Sequence, residues 1–142
     1  MRALPVILLC LITISDVLAG PADPLPGEWK PDLRLVEEVV TRFYENGGQQ
    51  GLNLRTGRVF EIRDAELAIL YLRLYCILPS KEQALLRNEQ AKWLKYRAAE
   101  VDKVAPNDES RGTIAPMEEN DRAIELTEAR LKVLQARLEK LR

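Results

Sequence analysis

A helical stripe near the middle of the chain carries a mixture of side chains that limits how the chain can fold. One face holds six residues at steps of four and three: Leu86, Gln90, Trp93, Arg97, Val101 and Val104. A core face would be aliphatic throughout, whereas this face also needs partners for an amide and a guanidinium. We expect Arg97 to lie along Trp93 with its guanidinium in water or on a carboxylate. Gln90 is expected at the core edge, paired with a buried polar group, or at a contact surface.

Composition favours an all-helical fold and disfavours several classes of function. The chain has 142 residues, a length typical of one domain, and is rich in Leu, Ala, Glu, Lys and Arg. Its 21 basic and 22 acidic side chains nearly cancel, which argues against a nucleic-acid partner. The chain has no histidine, the commonest general base and transition-metal ligand. We therefore predict a binding protein that is not an enzyme and needs no cofactor or metal.

Residues 1–19 have the pattern of an export signal. Arg2 precedes an almost wholly apolar run, and Val17-Leu18-Ala19 offers small residues where signal peptidase cleaves. We therefore predict cleavage after Ala19. Because the apolar run is too short to span a bilayer comfortably, we expect a periplasmic or secreted protein without stable membrane insertion. Cys10 leaves with the signal, so packing rather than an internal disulfide must hold the fold. The remaining thiol, Cys76, is expected to be buried and inert.

Proline separates this signal from the first expected helix. Residues 20–31 are rich in proline, which predicts an extended arm. Trp29 within this arm either docks on the domain or is offered to a partner. Apolar residues then recur with helical period over residues 32–46, which predicts a first helix and places the domain at residues 32–142.

Three more helices are expected after an irregular segment. Residues 49–62 surround the pair Thr56-Gly57, which predicts a loop or a short hairpin. Asp64 is placed to cap a second helix over residues 64–78, which is apolar almost all round and therefore central. Residues 81–105 and 116–141 are expected to form the third and fourth helices. The predicted fold class is all-α, a small four-helix bundle with an irregular or hairpin segment between helices 1 and 2.

The last predicted helix carries a regular apolar seam. Its members recur at steps of three and four: Ile124, Thr127, Leu131, Leu134, Leu138 and Leu141. Such a seam packs on neighbouring helices, while its last members either join the core or stay available to a second chain. A homodimer formed through this helix is therefore left open. Exposure of Leu138 and Leu141 would support it.

Motifs on the predicted helices and in the loop before the last one match a known pattern. They are Asp64-Ala65-Glu66-Leu67 with Tyr71, then Leu86, Gln90, Trp93, Tyr96 and Arg97, then Gly112-Thr113, then Leu126-Thr127-Glu128 with Arg130 and Leu134. Over residues 64–135 the chain resembles the LprI-type lysozyme-inhibitor family of small exported bacterial domains. The resemblance implies a mostly helical, non-enzymatic domain outside the cytoplasm, some of whose relatives inhibit lysozyme. The chain lacks the cysteines usual in that family and carries Ala68 where Asn is usual.

Two functional hypotheses follow. In the first, the protein inhibits lysozyme or another muramidase, and residues 107–115 protrude into the carbohydrate cleft of the target. In the second, it is a structural or protein-interaction module of the cell envelope that works through its C-terminal helix. The candidate contact residues are Arg111, Gly112, Thr113, Gln90 and Arg97. The expected structural anchors are Trp93, Tyr96, Leu86, Thr127 and Arg130.

Overall fold

Four α-helices and one short 3₁₀ segment make up the described part of the chain. The computed structural model describes residues 33–104 and 109–141, and neither range contains a β-strand. The elements are α1 (Arg34–Phe43), α2 (Gly48–Ile77), α3 (Ser80–Val104), the 3₁₀ segment Glu109–Ile114 and α4 (Ala115–Glu139). The predicted all-α four-helix fold is confirmed. The predicted signal peptide and the proline-rich arm with Trp29 lie outside the described residues.

The helices α2 and α4 form the centre of the bundle. α3 packs mainly on α4, and α1 packs on α2. The core between them consists of leucines: Leu67, Leu70, Leu74, Leu78, Leu86, Leu134 and Leu138. Burial of one such side chain contributes about 1.5–3 kcal/mol, so this cluster supplies a core without a disulfide among the described residues.

Residues 49–62 belong to α2, so the predicted loop or hairpin in this segment is wrong. α2 runs without a break through Thr56-Gly57 and through Asp64, which therefore caps no helix. The Thr56 hydroxyl donates to a carbonyl one turn earlier at 3.1 Å, and Asn120 of α4 donates to that hydroxyl at 3.3 Å. A Cβ on Gly57 would lie 3.5 Å from the same Asn120 amide. The pair that looks like a turn in the sequence therefore lies where α4 passes close to α2.

Glycines form the junction between α1 and α2. α1 ends at Phe43, three residues before the expected end at residue 46, and Gly48 begins α2 with a φ of 57°. The Gly51 amide donates to the Gly47 carbonyl at 2.9 Å. A Cβ on Gly51 would lie only 2.8 Å from the carbonyl oxygen of Tyr44. The absence of a side chain at Gly51 therefore lets α1 fold back against α2.

An arginine of α2 joins α1 to both central helices. Arg63 donates to Glu37 of α1 at 2.7 Å, to Glu128 of α4 at 2.9 Å and to Glu66 of its own helix at 3.2 Å. Burial alone lowers the pKa of Arg63, but the carboxylates outweigh it and raise that pKa above its ordinary value. Since α1 has no fully buried residue, this ionic group is a main constraint on its position.

The apolar seam of α4 folds back onto the bundle. Thr127, Leu134 and Leu138 are buried, with Leu138 only 2% exposed, whereas Leu141 after the helix is half exposed. Burial of Leu138 removes one of the two residues on which association through the C-terminal helix was expected to depend. The surface that remains for a second chain is correspondingly small.

Two glycine substitutions test whether α2 is continuous. Gly57→Ala should raise the free energy of unfolding by about 0.5–1 kcal/mol, because alanine is the better helix former. Gly51→Ala, the matched control, should lower that free energy because its Cβ would lie 2.8 Å from a backbone oxygen. Urea denaturation followed by circular dichroism measures both changes. A destabilising Gly57→Ala would contradict an unbroken helix at this point.

Candidate functional site

The mixed face of α3 meets the central helices through Arg97. Its guanidinium carbon lies 5.0 Å from the ring centroid of Trp93 and 5.1 Å from that of Phe60 on α2. Its Nη1 donates to Asp64 of α2 at 2.6 Å and to the hydroxyl of Thr127 on α4 at 3.0 Å. The Arg97 side chain is 14% exposed. The guanidinium thus lies on a carboxylate beside Trp93, one of the two expected arrangements, and faces the interior.

A second arginine lies against the same tryptophan. The guanidinium carbon of Arg130 on α4 is 5.9 Å from the Trp93 centroid, and its Nε donates to the side-chain oxygen of Gln90 at 3.0 Å. The Nη2 atom of Arg130 is buried without a hydrogen-bond partner among the described residues, and burial lowers the pKa of Arg130. Gln90 and Trp93 therefore connect α3 to α4.

The expected anchors divide between the core and the surface. Leu86 and Thr127 are fully buried, Trp93 is half-buried against the core, and Arg130 is half-buried as well. Tyr96, expected as an anchor, is 50% exposed. It precedes Arg97 by one residue, a rotation of about 100° that turns its ring away from the interior.

The turn before α4 is exposed and held in place by α2. Gly112 has φ 55° and ψ −137°, a conformation that suits glycine and strains other residues, and it is exposed together with Thr113 and Ile114. The Asn53 side chain of α2 donates to the carbonyl of Thr113 at 2.7 Å. Gln49, one helical turn earlier, donates to Asn53 at 3.0 Å. This hydrogen-bonded chain fixes the backbone of an exposed turn.

The first residues of α4 hold the same region from the other side. Pro116 occupies the first turn of α4, where its missing N–H costs no helical hydrogen bond. The Gln49 amide contacts the sulfur of Met117 at 3.9 Å, and Asn120 reaches back to Thr56 of α2. The turn of residues 112–114 is therefore attached to both central helices.

The structure separates the candidate contact residues into two regions. Gly112 and Thr113 lie on the exposed turn, and Arg111 belongs to the same segment, although its side chain lies outside the described part. Gln90 and Arg97 bond to other helices of the bundle instead. Asn53, which positions the turn, was missed because its segment was expected to be a loop. The only local signal is its spacing of four residues from Gln49, which pairs two amides on one helix face.

Open grooves lie beside Arg97 and Gln90. One of about 410 Å³ lies among α2, α3 and α4 and is lined by Phe60, Leu94, Arg97, Ala98, Val101, Asp102, Glu119, Asn120 and Ala123. Another of about 370 Å³ between α2 and α3 includes Ala68 and Gln90. Among the residues described, no three His, Cys, Asp or Glu side chains are placed to hold a metal ion.

Cys76 is a half-buried free thiol, so its expected full burial is corrected. It follows the buried Leu74 by two residues, a rotation of about 200° that moves it off the core face of α2. Over the described ranges, no helix combines the length and apolar character needed to cross a membrane.

Comparison with known proteins identifies a family. The family model described as lysozyme inhibitor LprI matches residues 45–134, which include α2, α3, the 3₁₀ segment and most of α4. α1 and the residues before it lie outside this match. No curated protein and no solved structure matched the chain.

Exposure predicts which hydrogen bond of Arg97 contributes more to stability. Thr127→Val keeps the side-chain shape but removes a hydroxyl that accepts from Arg97 and donates to the Ala123 carbonyl at 2.7 Å. Because this position has 0% exposure, the change should lower the free energy of unfolding by about 1–3 kcal/mol. Asp64→Asn changes a side chain that is 49% exposed, and should lower the free energy of unfolding by less than about 1 kcal/mol. Urea denaturation measures both. Equal losses of unfolding free energy in the two variants would show that burial does not decide which hydrogen bond of Arg97 matters more.

Proposed function

This chain belongs to the lysozyme inhibitor LprI family, and from that membership we propose that it is an exported inhibitor of lysozyme-type cell-wall hydrolases. Such a protein acts by binding and performs no catalysis of its own. Its target lies outside the cytoplasm, which agrees with the export signal predicted at residues 1–19. The periplasm or the extracellular space is therefore the proposed location.

We propose that residues 112–114 form the contact with the target. Family membership carries the inhibitory function, and the fixed, exposed turn is the observation that favours this surface. A carbohydrate cleft is concave, so a protrusion suits it better than the side of a helix. The Asn53 bond at 2.7 Å holds the turn before binding, which reduces the ordering that association would otherwise require.

The chemistry of the turn suits a small, mixed contact. Ile114 is 40% exposed and can supply an apolar anchor, while the exposed Thr113 offers a hydroxyl. Gly112 has no side chain, so its backbone can approach a partner closely. Gln90 and Arg97 support this surface indirectly by fixing α3 against the central helices.

Muramidase assays test the inhibitory function. The chain from Gly20 onward, which retains every described helix, should inhibit at least one of several structural classes of lysozyme at micromolar or lower concentration. Clearing of a cell-wall suspension measures the activity that remains, and circular dichroism verifies folding. Folded protein that inhibits no lysozyme in the panel would overturn the proposal.

Substitutions within the turn test the contact surface separately. Ile114→Asp and Thr113→Tyr should each raise the inhibition constant at least about tenfold, equivalent to about 1.4 kcal/mol. The matched control is Val133→Asp on α4, because Val133 is 56% exposed and lies on another element. This control should leave inhibition unchanged. A loss as large in Val133→Asp as in the turn variants would remove the turn from the interface.

A further inference from the structure

Four apolar side chains of α1 form an exposed stripe. Their exposed fractions are 72% for Leu35, 47% for Val36, 66% for Val39 and 78% for Phe43. Because successive helical residues are rotated by about 100°, these four occupy one arc of roughly 100°. The other side of α1 faces α2, where Glu37 pairs with Arg63 at 2.7 Å. α1 therefore turns its most apolar face away from the bundle.

The stripe is too small to hold a second copy of the chain by itself. Four side chains of these types expose on the order of 450 Å² together. A symmetric contact between two such stripes would bury about 900 Å², below the roughly 1,200 Å² of a stable interface. A short peptide segment fits an area of this size better.

We propose that residues 20–31, the proline-rich arm directly before α1, lie along the stripe. The arm is outside the described residues, and its sequence offers two large apolar side chains, Leu25 and Trp29. Docking would cover the exposed patch and give α1 packing that it otherwise lacks, since none of its residues is fully buried. This inference concerns α1 and does not depend on lysozyme inhibition.

The spacing of the apolar residues in the arm matches the spacing of the stripe. Leu25 and Trp29 are four residues apart, which is about 12 Å in an extended polyproline conformation. Leu35 and Phe43 are eight residues apart on a helix, which is also about 12 Å. An arm antiparallel to α1 therefore brings Trp29 to Leu35 and Leu25 to Phe43.

The residues between the arm and α1 favour such a reversal. Pro31 and Asp32 stand in the order preferred at the two central positions of a type I turn, directly before α1 begins at Arg34. The other prolines of the arm restrict its unbound conformations. Docking therefore requires less loss of conformational entropy than docking of an ordinary segment of the same length.

Fluorescence of Trp29 tests the docking. In the chain from Gly20 onward with Trp93→Phe, Trp29 is the sole tryptophan. Acrylamide should quench it several-fold less than it quenches a free peptide of residues 20–31. Val39→Asp on the stripe should raise quenching toward the level of the peptide. Val133→Asp, the same change at an exposed position of α4, should leave quenching unchanged.

A cysteine pair gives a second readout that keeps Trp93. In a Cys76→Ser background, Leu25→Cys combined with Phe43→Cys should form an intramolecular disulfide in oxidised glutathione. The control pair, Leu25→Cys with Val133→Cys, should stay reduced or mixed with glutathione. Gel mobility with and without a reductant separates these products.

Four results would overturn the proposal. If acrylamide quenches Trp29 as strongly in the protein as in the free peptide, the arm is not docked. If the Trp93→Phe variant does not fold, failure of the Leu25→Cys and Phe43→Cys pair to form a disulfide would show the same. If the protein sediments as a dimer that Val39→Asp dissociates, a second copy of the chain covers the stripe. If the protein binds phosphatidylglycerol vesicles and Val39→Asp abolishes this binding, a lipid surface covers the stripe.

Discussion

The guanidinium of Arg97 is the point at which three helices meet. It lies between the aromatic rings of Trp93 on α3 and Phe60 on α2, and it donates to Asp64 and to Thr127 of α4. A largely buried guanidinium is unfavourable unless its donors are paired, so a shift of one helix would leave charge uncompensated. α3 has few other contacts with α2. This interaction therefore fixes α3 against α2 in a fold without a disulfide among the described residues.

A rigid bundle explains how a small domain can present a fixed turn. Arg97 and the side chains that it contacts fix α3 against α2, and Arg63 joins α1, α2 and α4 through carboxylates. α2 and α4 in turn hold residues 112–114 from both sides, through Asn53 and the first turn of α4. The side chains that stabilise the fold are therefore largely interior. The exposed turn is left available for a partner.

Periodicity in the sequence predicted the four helices because burial on a helix follows its 3.6-residue repeat directly. The prediction of a loop or hairpin at Thr56-Gly57 was wrong, because this pair indicates a turn by composition alone. That pair stays helical beside Asn120, a contact across 64 residues that no local pattern reveals. At the candidate site, glycine at position 112 marked the turn. The partner that fixes it, Asn53, could not be identified while its segment was expected to be a loop. For the guanidinium of Arg97, the sequence predicted either water or an unspecified carboxylate.

Amide hydrogen exchange of Arg97→Met tests the central role of this guanidinium most directly, because methionine keeps an apolar stem and removes only the charged donors. If the Arg97 guanidinium holds α3 in place, amides of α3 should exchange at least about tenfold faster than in the unmodified protein, while those of α2 and α4 keep most of their protection. Unchanged protection throughout α3 would show instead that leucine packing alone positions this helix.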